Sequence, residues 1–254
     1  MIEKIKVVDI NREVVKEGRS FQILKDMSFE IQQGEIVCIL GPSGCGKSTL
    51  LRIICGFDRP DSGRVLVDGA ELKGPSSDAI LVFQDFNQLF PWKTVIENVM
   101  YPLHINQIGN SAKEREAIAI RNLELVGLED SYKSYPHQLS GGMKQKVALA
   151  RALAVKPSVL LMDEPFGGLD ALTRQKMQAL LSDIWKETGV TIVFVTHDVQ
   201  ESIILGDKII IMDKNPGEIL EIVQNGLERP RNIGGQGFTG LYNEVYSLLE
   251  KIKV

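Results

Sequence analysis

Three short runs, 36–40, 158–163 and 191–197, are apolar at nearly every position. Each run gives way to polar chemistry, as buried parallel strands do when they carry functional groups at their C-terminal ends. The N-terminal third has a different period. Segments 5–10, 21–24, 27–31 and 64–69 alternate apolar and polar residues, predicting half-exposed antiparallel strands. Helical spacing over 47–55 and 172–186 predicts helices after the first two buried strands, the second stopping before Gly189. From about 87 to 155 the pattern turns helix-rich, with an amphipathic helix over 114–126 and another over 141–155 that ends before Pro157. The pattern therefore predicts a single domain over 1–254: an α/β core over about 1–86 and 156–225, with a helical subdomain inserted over about 87–155. A tail over about 226–254 combines a Gly/Pro/Arg-rich connection with a short amphipathic helix at 241–252.

Composition narrows the function classes. With 254 residues, 44% of them hydrophobic, the chain can bury a substantial core. A net charge of −4 offers no general attraction to nucleic acid or anionic lipid, so contact with a membrane is expected through protein. Cys38, Cys45 and Cys55 form no metal-ligand or disulfide pattern, which suits a reducing compartment. The first residues lack a signal-peptide run, and no apolar stretch reaches the roughly 20 residues that span a bilayer.

The first buried strand is followed by Gly41-Pro42-Ser43-Gly44-Cys45-Gly46-Lys47-Ser48 and then Thr49. Glycines at this spacing let backbone amides turn toward an anion, and the helix beginning near Lys47 adds its positive end. Lys47 is expected to neutralise the β and γ phosphates of a nucleotide; Ser48 gives a hydroxyl to Mg²⁺, supported by Thr49. The second buried strand closes on Asp163 and Glu164, adjacent carboxylates that suit a cation and an attacking water. Asp163 is the expected metal partner, through water, and Glu164 the general base or the group that positions the water. His197 ends the third strand and Gln84 closes another apolar run; each is positioned for phosphate, water or metal. Cys45, among loop amides and beside Lys47, is expected to be thiolate-prone and open to thiol reagents, with ATP protecting it.

The heptapeptide Leu-Ser-Gly-Gly-Met-Lys-Gln at 139–145, taken with the phosphate loop, resembles the nucleotide-binding subunit of ATP-binding cassette (ABC) transporters, and the match runs in order over about 5–225. The resemblance implies a P-loop NTPase (RecA-like) core with an N-terminal antiparallel β subdomain and an inserted helical subdomain. It makes Gln84 the Q-loop residue, Asp163 and Glu164 the Walker B pair, Gly168-Leu169-Asp170 the D-loop and His197 the switch histidine. It further implies a head-to-tail dimer, expected to be a homodimer, in which ATP and Mg²⁺ held on one chain meet Ser140, Gly141, Gly142 and Gln145 of the other. Ser140 reads as the N-cap of the helix whose free amides would receive the γ phosphate. An aromatic residue that stacks on adenine is expected near the first strands, where Asn11 falls close to its place and Phe21 is the nearest ring.

Segments 89–99, 135–154 and 163–174 are similar to the importer branch that includes nitrate, sulfonate and taurine uptake ATPases. That likeness implies a separate transmembrane permease, an extracytoplasmic solute-binding protein, and a peripheral position on the cytoplasmic face of the membrane. Phe90, Pro91 and Trp92 follow the Q-loop, where the family receives a coupling helix of the permease; packing of the helical lobe is the other reading. Competing functions are an export or lipid-trafficking ATPase and a soluble clamp on DNA or ribosomes, although no paired cassette, coiled-coil insertion or basic linker is present.

Overall fold

A computed structural model describes residues 2–85 and 88–252, with the boundary expected at 86/87 lying outside them. The backbone gathers into two compact units, Met1–Ser76 with Val190–Val254, and Ser77–Gly189. No helix among the described residues is long and apolar enough to cross a membrane.

In the first unit, β1 (Glu3–Lys16) and β2 (Arg19–Gln32) form a long antiparallel hairpin. With β4 (Ser62–Val67) and β5 (Ala70–Glu71) it makes a four-stranded sheet of order β2-β1-β4-β5. Segments 21–24 and 27–31, read in the sequence as two strands, belong to one. Shifts in the β1–β2 register, with Asp9 and Asp26 at φ 49 and 47°, break the alternation while the pairing continues. The unit's second sheet centres on β3 (Ile36–Leu40), whose five residues are all buried. It lies parallel to β8 (Thr191–Thr196) on one side and β9 (Lys208–Met212) on the other, and β10 (Ile219–Gln224) runs antiparallel to β9. Helices α1 (Lys47–Ile54), α6 (Val199–Leu205) and α7 (Gln236–Leu249) complete the unit. The tail helix α7 begins five residues before its expected start, because Gly237 and Gly240 weaken the helical signal of its first turns.

In the second unit, β6 (Ala79–Val82) runs parallel to β7 (Val159–Asp163). Helices α2 (Val95–Ile105), α3 (Ala112–Leu125), α4 (Gly141–Leu153) and α5 (Ala171–Thr188) belong to the same unit, with two 3₁₀ turns, Glu129–Ser131 and Pro136–Gln138, between α3 and α4. The helices expected over 87–155 thus share a unit with two strands and α5. Each of the four has a side-chain N-cap, supplied by Thr94, Ser111, Ser140 and Asp170 respectively. Asn98 of α2 is fully buried and bridges the Phe90 backbone on both sides, accepting from its N–H at 2.8 Å and donating to its carbonyl at 3.2 Å. A buried amide with both ends satisfied fixes the entry of α2.

Candidate active site

The last residue of β3, Leu40, stands level with Thr196 of β8 and Ile211 of β9. Gly41 and His197 therefore leave the sheet at the same height, and the phosphate loop and the histidine share one strand-end edge. Gly46 has φ 100°, and a Cβ there would lie 2.7 Å from Leu24 Cδ2, so glycine is required on conformational and steric grounds. The next residue, Lys47, opens α1 and is only 5% exposed. Its Nζ donates to the Gly41 and Pro42 carbonyls at 2.8 and 2.9 Å, which brings the ammonium back over the mouth of the loop. Ser43 and Gly44 are exposed there, and Ser48 and Thr49 are half-buried on the first turn of α1.

Cys45 departs from expectation. Its side chain is 1% exposed, and burial pushes the thiol pKa up, outweighing the Lys47 charge that pulls it down. A loop thiol facing the protein loses hydration of the thiolate, and that loss exceeds what one neighbouring cation returns. The expected reactive, accessible thiolate is not present.

In the second unit Val82 stands level with Met162, so Gln84 and Glu164 each follow two residues beyond that row. Glu164 adopts φ 42°, a left-handed conformation unusual for a residue with a Cβ and the kind of strain that collects at functional turns. Its carbonyl accepts the Gly167 N–H at 3.0 Å. A Cβ at Gly167 would come 2.7 Å from Gln84 Nε2, so the Gln84 amide rests against the turn that carries Glu164. Both expected residues are thus brought to one turn.

Ser140 is exposed and its hydroxyl accepts the Met143 N–H at 3.3 Å, which caps α4, with Gly141 half-buried and Gly142 buried. Gln145 lies elsewhere than expected. It is 2% exposed, donates to the Pro165 carbonyl at 2.7 Å and accepts from Gln88 Nε2 at 3.3 Å. One turn further into the helix than Gly141, it faces its own unit, joining α4 to the segment after Glu164. Gln88 and Arg151, which the sequence reading did not single out, extend this network: Arg151 Nη1 donates to the Gln88 carbonyl at 2.9 Å. Asp170 accepts from Thr173 N and Oγ1 at 3.0 and 2.6 Å; the Thr173 hydroxyl, then its N–H, holds the carboxyl below its usual range.

Near the Q-loop, Trp92 is 71% exposed beside a cleft of about 340 Å³ lined by Phe90, Tyr101, Pro102, Ala148, Arg151 and Val155. Phe90 meets Tyr101 edge-on at 4.7 Å. In the first unit the Asn11 amide is engaged with Asp9, Asp26 and Gln22, whereas Phe21, across the hairpin from Val14, is 48% exposed.

Among the described residues no group of three or more His, Cys, Asp or Glu is gathered to hold a metal. Mg²⁺ commonly takes one or two protein oxygens together with substrate phosphates and water, and the Ser48 hydroxyl in one unit and the Asp163 carboxylate in the other are each oxygen donors of that kind.

Residues 24–167 match the family model described as ABC transporter. The chain is 41% identical over 246 residues to the aliphatic sulfonates import ATP-binding protein SsuB of Bacillus thuringiensis subsp. konkukian, covering 97% of this chain and 96% of that protein. It is 48% identical over 204 residues to the taurine import ATP-binding protein TauB of Pseudomonas aeruginosa, covering 80% of this chain and 76% of that one. Among solved structures it is similar to the dimeric, post-hydrolysis state of the ATP-binding cassette MJ0796 bound to ADP and Pi, with a TM-score of 0.78 and 36% identity over 90% of this chain and 99% of that one.

Proposed function

The chain belongs to the ABC transporter family, and from that premise we propose that it is the ATP-hydrolysing subunit of an importer that powers uptake of a small nitrate-, sulfonate- or taurine-like anion through a separate permease. Its reaction is ATP plus water to ADP and phosphate. One observation carries the nucleotide part of this reading: Lys47 is held over the mouth of a glycine-bearing loop at the start of α1, an arrangement built to receive a polyphosphate. The import part is supported by the likeness to the sulfonate and taurine import proteins.

Lys47 and the backbone N–H groups of Gly41 and of 43–49 hold the β and γ phosphates. Ser48, Asp163 and Gln84 would hold Mg²⁺, which would supply positive charge against that developing on the transferred phosphoryl group. Glu164 takes a proton from the attacking water, and His197 keeps that water and the γ phosphate in line. Ser140, Gly141 and Gly142 of a second copy complete the nucleotide site, with the α4 amides as donors, and Asp170 lies at the D-loop. Gln145 acts as a positioning residue, holding α4 to the Pro165 segment. The permease docks at the cleft beside Trp92, and an extracytoplasmic protein delivers the solute. Protein-mediated docking places the subunit on the cytoplasmic face of the membrane.

Replacing Glu164 with Gln is expected to lower turnover by about 10²–10⁴-fold while ATP still binds and an ATP-dependent dimer accumulates on gel filtration. Turnover equal to wild type would sink the assignment of the base.

A further inference from the structure

The Gly/Pro/Arg-rich connection contains a guanidinium cluster that the nucleotide chemistry does not use directly. Helix α6 follows His197 and is only seven residues long. A helix of that length has little stability of its own, since isolated helices shorter than about 12–15 residues are marginal in water. Its position is therefore set by the packing of its buried residues, Val199, Ile203 and Leu205 among them, and by what holds its two ends. At the N-terminal end, Asp198 Oδ1 accepts the Gln200 and Glu201 N–H groups at 2.8 and 3.2 Å. The Thr196 hydroxyl donates to the buried Glu201 carboxylate at 2.6 Å and accepts the Asp198 N–H at 3.0 Å. His197 is thus bracketed by residues tied to the first turn of α6.

The C-terminal end leaves four carbonyls without helical partners. Ser202 O is met by the Gly206 N–H at 2.9 Å, and the other three are met from the tail. Asn225 Nδ2 donates to Ile203 O at 2.8 Å, and Arg231 Nη1 donates to Ile203 O and Ile204 O at 2.9 and 3.1 Å. Arg229 reaches Ile204 O and Leu205 O. Both arginines also pair with Asp207, whose second carboxylate oxygen accepts the Ile36 N–H at the start of β3 at 3.0 Å. The Arg231 side chain is 1% exposed, and all three of its guanidinium nitrogens are engaged. Burying a permanent charge so completely is tolerated only where its partners are fixed in place.

We propose that Arg229 and Arg231 are positioning residues for the ATPase reaction: they clamp the end of α6 to β3 and thereby set where His197 stands at the strand-end edge. The proposal rests on the reading of His197 as the residue that aligns water and γ phosphate. A planar fork is needed, because a lysine ammonium in the same place cannot serve several divergent carbonyls and a carboxylate at once.

The test uses full-length Arg231→Lys in steady-state ATP hydrolysis, with NMR of ¹³C-histidine-labelled protein. The chain has three histidines, and His104 and His137 lie in the other unit, so His197 is assigned from His197→Ala. The expected result is a fall in kcat of about tenfold or more, with KM for ATP within about twofold, since small displacements of an aligning group cost rate before binding. The His197 ring resonance moves, and those of His104 and His137 do not. A lower thermal midpoint with unchanged kcat, or an unmoved His197 resonance, overturns the proposal by reducing the clamp to a stabilising cap. Should Arg231→Lys not fold, Arg229→Lys, whose side chain is 12% exposed, carries the same test with a smaller fall in kcat expected. Wild-type turnover by His197→Ala would overturn the reading of the histidine itself. The two failures are distinguishable, because the second leaves the resonance shift intact.

Discussion

Cys45 shows how far one side chain's orientation can reverse a chemical expectation. Its neighbours, loop amides and Lys47, are those that activate a thiol, yet the side chain turns into the protein and burial raises its pKa. Native protein should therefore react with iodoacetamide at neutral pH far more slowly than the denatured chain. The rate should climb as pH rises toward and past the ordinary thiol value, because only then does the thiolate form. Mass-spectrometric alkylation kinetics decide the point, and equal rates for native and denatured Cys45 would refute burial of the thiol. The same scale explains Gly167: a Cβ there would come 2.7 Å from Gln84 Nε2, so glycine lets the Gln84 amide rest against the turn that carries Glu164.

Among the elements, α2 is held at its start by a reciprocal capping box, in which Thr94 accepts the Glu97 N–H while the Glu97 carboxylate accepts the Thr94 N–H at 2.7 Å and its hydroxyl at 2.8 Å. These bonds, the backbone one foremost, hold the Glu97 carboxyl below its usual range. A depressed folded-state pKa contributes stability that is fully present above the unfolded value, about 4.3, and is lost as pH falls through the lowered folded value. The gap in urea midpoint between wild type and Glu97→Gln is thus expected to be widest near neutral pH and to close in acid. A gap that stays constant with pH would show that the carboxylate charge does not matter to the cap. Helix α4 shows the other use of a helix start: Ser140 caps it at the surface, while one turn on Gln145 anchors it inward. The exposed cap and the buried anchor belong to the same short segment.

For the molecule as a transport subunit, the exposed Trp92 and its neighbouring cleft are where chemistry would be passed to another protein. Trp92→Ala should leave ATP hydrolysis by the isolated subunit at the wild-type level. It should reduce the amount of permease recovered when the tagged protein is purified from gently solubilised membranes of its host. Undiminished recovery would move the docking site away from Trp92. The solute does not contact this chain in such an arrangement, so substrate choice would rest with the permease and the solute-binding protein.

The three apolar strands, the phosphate loop, the Asp163-Glu164 pair and the Ser140 cap were all legible in the sequence, for one physical reason. Each is a local pattern: an unbroken apolar run, glycines at fixed spacing before a helix, or a hydroxyl residue ahead of a helical period. Features built from distant segments were not legible. Nothing near Cys45 in the sequence says which way its side chain turns, and Gln145 reads as surface until the Pro165 carbonyl is seen beneath it. The 14 residues of β2 looked like two strands because shifts in pairing with β1 interrupt the alternation. Arg229 and Arg231 read as part of a polar connection, and only the tertiary structure shows them closing the end of α6, more than 20 residues earlier in the chain. Periodicity and spacing record what a residue does with its sequence neighbours. Burial, pKa and the satisfaction of helix-end carbonyls depend on which remote atoms arrive beside it, and that was decided by the fold.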